Sequence, residues 1–292
     1  MDAKLFLRSS SGARPVKIFF AQRFRVRSLL LLLLACALQP TAHADTVAVR
    51  SVQGSLRGFL EVSNGDGQVV ASGDSFQVVQ GGRVISRTVF HFKDGSIDDE
   101  TTVYTQRLVF RLISDHHIQK GPSFPHPMDV LIEVPSGQVT VRSPGKDGKE
   151  EVESEHLKLP DDLANGLTPI LLENLGADSA TTTVSVLVAM PKPRLVKLVI
   201  SHEGDESCMI AGLSQKAMRY KIKIVLGGIV GFLAPMIGKA PPDVQVWTIG
   251  GDVVTFAREQ GPLYPEGPIM TIQLVSPNWQ DAPKPSPSSA QR

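Results

Sequence analysis

Four carboxylates and a histidine fall within ten residues of this chain: "HFKDGSIDDE", His91 to Glu100. Fifteen residues past its last acid stands "DHH", Asp115 to His117. Carboxylates and imidazoles are the ligands that zinc takes four at a time, and calcium takes six or more oxygens. Asp94-Gly95 is also a strong turn signal, and the flanks "RTVFHF" and "TTVYTQRLVFRLI" have strand composition. The stretch therefore reads first as a hairpin followed by a return strand. In strands, alternate side chains point to opposite faces, so Asp98 and Glu100 share a face and Asp99 takes the other. Only one of His116 and His117 can join them for the same reason. A candidate metal site is thus His91, Asp98, Glu100 and His117, supporting a metal-dependent hydrolase or a metal-stabilised module. The calcium-loop pattern D-x-[DN]-x-[DN]-G is absent. The plainer reading is a solvent-facing turn whose charges discourage edge pairing.

Other chemistry is weaker. There is no G-x-S-x-G elbow, and Cys208 in "DESCMI" reads as a small buried apolar residue of a strand. Asp161 and Asp162 read as first-turn acids of a helix, where they favourably meet its dipole. No cofactor is expected.

The most unusual passage is "VLGGIVGFLAPMIGKAPPD", Val225 to Asp243. It is too short and too broken by Gly and Pro to be a spanning helix. It reads either as a buried crossover or as an apolar lip that touches a lipid-like ligand or a membrane surface. Two loops echo one another: "GPSFPHPMDVLIEV" from Gly121 and "GPLYPEGPIMTIQL" from Gly261. The candidate ligand contacts are Phe232, Leu233, Met236 and Ile237 from the apolar passage, with Phe124 and Tyr264 from the two Gly-Pro loops.

These residues need a scaffold. Short runs rich in Val, Ile, Thr and Phe recur, broken by Gly, Asp, Asn and Pro. "SNGDGQ" marks an early hairpin. "SPGKDGKEEVESEH", Ser143 to His156, has no apolar period and reads as a solvated loop or as an extension of the flanking strands. "LPDDLANGLTPILLENLG" is the one helical passage, with Thr168 as N-cap, Pro169 at the first helical position and Gly176 as its end. The fold expected is mainly β: a strongly curved antiparallel sheet, half-barrel or barrel, with one short helix over one opening.

The N-terminus addresses compartment. Arg23, Arg25 and Arg27 precede an apolar run, Leu29 to Leu38, then Pro40 and "AHA" at 42–44. This is the layout of a secretory signal peptide. The expected organisation is residues 1–44 as signal, 45–276 as one β domain, and a Pro/Ser-rich disordered tail over 277–292. The long segment before the signal points to translation starting near Val26. A rival reading takes "LLAC" as a lipoprotein site anchoring the chain at Cys36. Removing the signal takes away seven Lys/Arg and one Asp, and leaves the chain about five charges negative. That balance argues against nucleic acid as a partner. Cys208 would then be the one remaining cysteine, and no intrachain disulfide can form.

The passages "FHFKDGSIDDETTVYTQ", "QKGPSFP", "LPDDLANGL" and "VLGGIVGFLAPMIGK" resemble an uncharacterised family of secreted bacterial β-rich proteins. The resemblance implies a periplasmic or extracellular β protein and carries over no catalytic residue. The architecture is also similar to envelope half-barrels of the lipoprotein-carrier kind, which hold acyl chains in a curved sheet. That similarity implies binding of an apolar or lipid-like ligand, with contact at a membrane periphery. A structural, partner-binding envelope protein is the third reading.

Overall fold

In the computed structural model of the chain, the described residues are 45–276, save 146, 177–178, 180, 190–191, 211, 227–240 and 251–252. Fourteen strands form one antiparallel sheet. They are β1 (Leu56–Ser63), β2 (Val69–Gln80), β3 (Arg83–Phe92), β4 (Ile97–Gln106), β5 (Phe110–Lys120), β6 (Met128–Glu133), β7 (Gln138–Pro144), β8 (Glu150–His156), β9 (Thr182–Val188), β10 (Arg194–Ile210), β11 (Leu213–Val225), β12 (Val244–Ile249), β13 (Thr255–Pro262) and β14 (Ile269–Val275). The helix α1 (Thr168–Leu172) lies between β8 and β9.

The order is that of two meanders sewn together. β1 to β8 pair in sequence, β9 to β14 pair in sequence, and β1 joins β14. β8 and β9 are the two edges, so the sheet is barrel-like but not closed. The linker from β8 to β9 lies between the edges in sequence, and its side chains explain the curvature. Leu163, Leu167, Leu171, Leu172 and Leu175 are buried in one cluster with Val84, Tyr104, Ile132 and Val139 from one half of the sheet and with Val184, Ile200, Tyr220 and Val246 from the other. A sheet can reach the same leucines from both halves only by curling around them. Each buried leucine contributes about 1.5–3 kcal/mol through loss of apolar surface to water.

The expected β class is therefore what the chain adopts, with four local differences. First, α1 is no lid over an opening: its leucines fill the principal core. Second, it is shorter than the sequence suggests. Leu167 occupies the N-cap without a side-chain hydrogen bond, Thr168 is already helical, and the C-cap is Glu173. The helix stops there while Asn174 turns its side chain to other work. Its Oδ1 accepts the Arg50 and Ser51 N–H groups, and its amide donates to Ile170 O. Third, Asp161 and Asp162 precede the helix rather than fill its first turn. Asp162 is buried and accepts from Ser185 Oγ at 2.8 Å and Lys197 Nζ at 3.3 Å, tying the linker to β9 and β10. Fourth, part of the polar stretch from Ser143 to His156 is a strand. β8 is exposed along its whole length, and main-chain pairing with β7 holds it without apolar side chains.

The linker also guards an edge. Ala164 N–H donates to Ser185 O and Ser185 N–H to Asp162 O, and the Asn165 side chain pairs with both main-chain groups of Leu187. These contacts satisfy the β9 edge that an open sheet leaves exposed. A strap of residues 45–53 runs along the sheet margin near β9 and the β4–β5 turn. Asp45 pairs with Thr183, and Val47 and Val49 pair with Phe110 and Leu108. Cys208 is buried beside Ile210, Ala217, Trp247 and Ala257.

Candidate functional site

The acidic stretch is a tight hairpin. Asp94 Oδ1 accepts the Ser96 N–H at 2.9 Å, and Gly95 takes a positive φ of 87°. Strand alternation then sorts the acids as the sequence implies. Asp99 lies on the outer face in a two-pronged ion pair with Arg87, at 2.7 and 2.6 Å. Asp98 and Glu100 turn inward. His116 and His117 divide likewise. His116 meets Asp129 outside at 2.9 Å, while His117 faces in, paired across the strands with Glu100.

What alternation alone does not give is the inward placement of Asp115, His117 and Gln119 together with Phe110 and Leu112. The register of β5 against β4 slips between Val103 and Tyr104, so that Ile113 is an extra residue. This β-bulge flips the alternation. Before it, the even positions Phe110 and Leu112 are buried. After it, the odd positions Asp115 and Gln119 are. A second slip at Ala257 does the same in β13, where Phe256 and Glu259 line one cavity despite being three residues apart.

The cavity has a volume of about 350 Å³ and lies between α1 and the strands β1–β5, β13 and β14. One part of its wall is apolar, with Leu60, Phe90, Phe256, Ile272 and Leu274. Gly73 makes room for Phe90, because a Cβ there would collide with the ring. The other part is ionisable: Asp98, Glu100, His117, Glu173 and Glu259. Asp115 stands just behind, accepting from Thr102 Oγ1 at 2.9 Å. Gly166 is required here, since its φ is 65° and a Cβ would meet Thr102 Oγ1 and Asp115 Oδ1.

The electrostatics follow from enclosure. His117 Nε2 lies 2.7 Å from Asp98 Oδ1, whose other oxygen accepts from Gln119 Nε2 at 2.9 Å. Burial works against the imidazolium. The hydrogen bond to Asp98 and the charges of Glu100, Asp98 and Asp115 outweigh it, and raise the His117 pKa to about 9. Burial pushes the Asp115 carboxyl to about 8, with the Glu100 charge adding to the shift. It likewise pushes Glu173 and Glu259 to about 7 and raises Glu100. The site therefore favours the imidazolium at His117, hydrogen-bonded to Asp98, among carboxyls whose burial resists their ionisation.

The candidate metal set does not assemble. His91 is exposed on the outer face of β3, away from the other three. Asp98, Glu100 and His117 do converge, but His117 Nε2 is committed to Asp98 and its Nδ1 is 4.0 Å from Glu100. Among the described residues no group of three His, Cys, Asp or Glu is placed to hold a metal ion.

The candidate ligand contacts fare differently from one another. Phe124 and Tyr264, from the two Gly-Pro loops, meet edge to face with ring centres 5.9 Å apart, and Phe124 packs on Phe92 in the same way at 5.3 Å. The two loops thus share one cluster, with Phe124 buried in it, and neither ring lines the cavity. Their neighbours Pro262 and Leu263 do line it, and Leu263 O accepts from Gln119. Phe232, Leu233, Met236 and Ile237 lie outside the described residues. Glu173 and Glu259 were not singled out by the sequence. Glu173 is an isolated acid in an apolar run, "PILLENL", and that is the one signal it offers; Glu259, between Arg258 and Gln260, offers none.

No family model and no curated protein matches the chain. Two crystal structures are similar to it at 10% sequence identity. One is a β-barrel-like protein of a domain of unknown function, DUF1849, from Brucella abortus, with a TM-score of 0.42 over 77% of this chain and 98% of that one. The other is the hypothetical lipoprotein YmcC from Escherichia coli, with a TM-score of 0.36 over 90% of this chain and 99% of that one.

Proposed function

We propose that the chain is a binding protein for a small amphipathic molecule, held in the cavity of its barrel-like sheet. In this reading residues 1–44 export it and it works in the cell envelope. The observation that carries the reading is the cavity itself: about 350 Å³, apolar on one part of its wall and ionisable on the other. Ligand sites typically measure about 300–1,000 Å³, so this one suits a single chain or ring rather than a two-chain lipid.

Native mass spectrometry of protein purified gently from its own cells tests the reading. A co-purified organic mass of a few hundred daltons or less is expected. A bare polypeptide mass, with no uptake of added amphiphiles, overturns it.

A further inference from the structure

The charges around the cavity are uneven. Among the described residues its wall holds four carboxyls, from Asp98, Glu100, Glu173 and Glu259, and one imidazole, but no lysine or arginine. Two of the four have hydrogen-bond donors from the protein. Asp98 receives His117 and Gln119, and Glu173 receives the Phe256 N–H at 2.9 Å. Among the described residues Glu100 has the flank of His117, at 4.0 Å, and no hydrogen bond from the protein. Glu259 faces the same cavity, and among the described residues its carboxyl receives no hydrogen bond. The two are close enough for the charge of Glu259 to act on Glu100.

A carboxylate on the wall of a narrow cavity, with few waters around it and no donor from the protein, relieves the cost of its charge either by keeping its proton or by meeting a cation. An anionic head would add to four acids with no lysine or arginine to receive it. A neutral hydroxyl could serve one carboxyl and would leave the other unmatched. An ammonium group offers three donors and the compensating charge. We propose that the cavity takes a primary amine, its ammonium head between Glu100 and Glu259 and its apolar body against Leu60, Phe90, Phe256, Ile272 and Leu274. This names the ligand class for the reading above and rests on it. As the ammonium enters, Glu259 gives its proton to solvent, so binding strengthens as the pH rises through neutrality. The other ionisable groups facing the head, Asp98, His117 and Glu173, already have protein partners.

Isothermal titration with octylamine, octanol and octanoate tests this, because the three share a chain and differ in the head. For the wild-type protein at about pH 8, octylamine should bind at least about tenfold more tightly than either of the others. Glu259→Gln should remove most of that preference and leave octanol affinity within about twofold. Glu100→Gln, a separate isosteric change, should do the same if the first variant folds poorly. In the wild type the preference should shrink between about pH 8 and about pH 6. Octanol or octanoate binding as tightly as octylamine overturns the amine assignment alone. So does a preference that survives both substitutions. Binding of none of the three overturns the ligand-binding reading as well.

Discussion

Glu173→Gln should change the pH dependence of stability in a calculable way. The Glu173 carboxyl is buried, accepts the Phe256 N–H at 2.9 Å, and titrates at about 7 rather than 4.5. Burial raises it, while the Phe256 N–H and the Gln53 side chain pull partly in the other direction. A carboxyl whose folded pKa is raised binds more protons folded than unfolded. Stability is then highest below the unfolded value and is lost as pH rises from 4.5 through 7. Each pH unit of that interval is worth about 1.4 kcal/mol, so the loss is about 3 kcal/mol in all. Glutamine keeps an oxygen for Phe256 and cannot ionise. The difference in unfolding free energy, variant minus wild type, should therefore rise by about 3 kcal/mol between about pH 4.5 and about pH 8. Urea titrations followed by circular dichroism across that range measure it. Two parallel curves, with a constant offset, would refute the claim that Glu173 sits in a site that resists its charge.

The remaining predictions use the same unfolding assay. His117→Ala should cost about 3 kcal/mol, because it leaves the buried Asp98 with Gln119 as its one remaining side-chain donor among the described residues, and adding Asp98→Asn should restore part of the loss. Wild-type stability should also fall as pH climbs from 6.5 through about 9, the range in which folded His117 holds a proton that the unfolded chain gives up. Gly166→Ala should cost about 2–3 kcal/mol, from a positive φ and a Cβ driven toward Thr102 and Asp115. Phe124→Ala should cost about 3–4 kcal/mol, since the ring is buried between Phe92 and Tyr264. Arg87→Ala should cost at most about 1 kcal/mol, because its ion pair with Asp99 lies on the water-facing side of the sheet.

The β class was legible because every strand but β8 announces itself locally, through β-branched or aromatic residues and Gly, Asn or Asp turns. The hairpin at Asp94-Gly95 and the division of Asp98 and Glu100 from Asp99 follow from period two alone. The composition of the cavity wall was not legible, and the reason is physical. Two bulges, at Ile113 and Ala257, reset which residues face inward, and neither leaves a mark in composition. Without the first, His117 would share a face with Ile113 and Asp115 but not with Leu112. β8 carries no strand signal of its own because an edge strand held by main-chain pairing needs no apolar face, and "EEVESEH" has none. The helix boundary was misread because Leu167 is set by its burial in the core rather than by capping chemistry.

The open edge and the ionisable wall have a common origin in the linker between β8 and β9. A closed barrel of this many strands would have a wide interior. Here the linker enters that interior, and its leucines fill the part bounded by β3–β7 and β9–β12. The opposite side of α1 carries Thr168, Pro169, Ile170 and Glu173, and these face β1–β4, β13 and β14 across the cavity. The space that remains is therefore bounded by a packed core on one side and by strands with polar inward residues on the other. Ser75, Gln77, Ser86 and Thr88 continue that polar wall on β2 and β3. A sequence under pressure only to fill its interior would place Val or Ile at those positions, as it does on β6 and β7, where Val130, Ile132, Val139 and Val141 are all buried. The polar and ionisable side chains set among Leu60, Phe90, Phe256, Ile272 and Leu274 make the cavity a feature of this chain's sequence and not a packing defect.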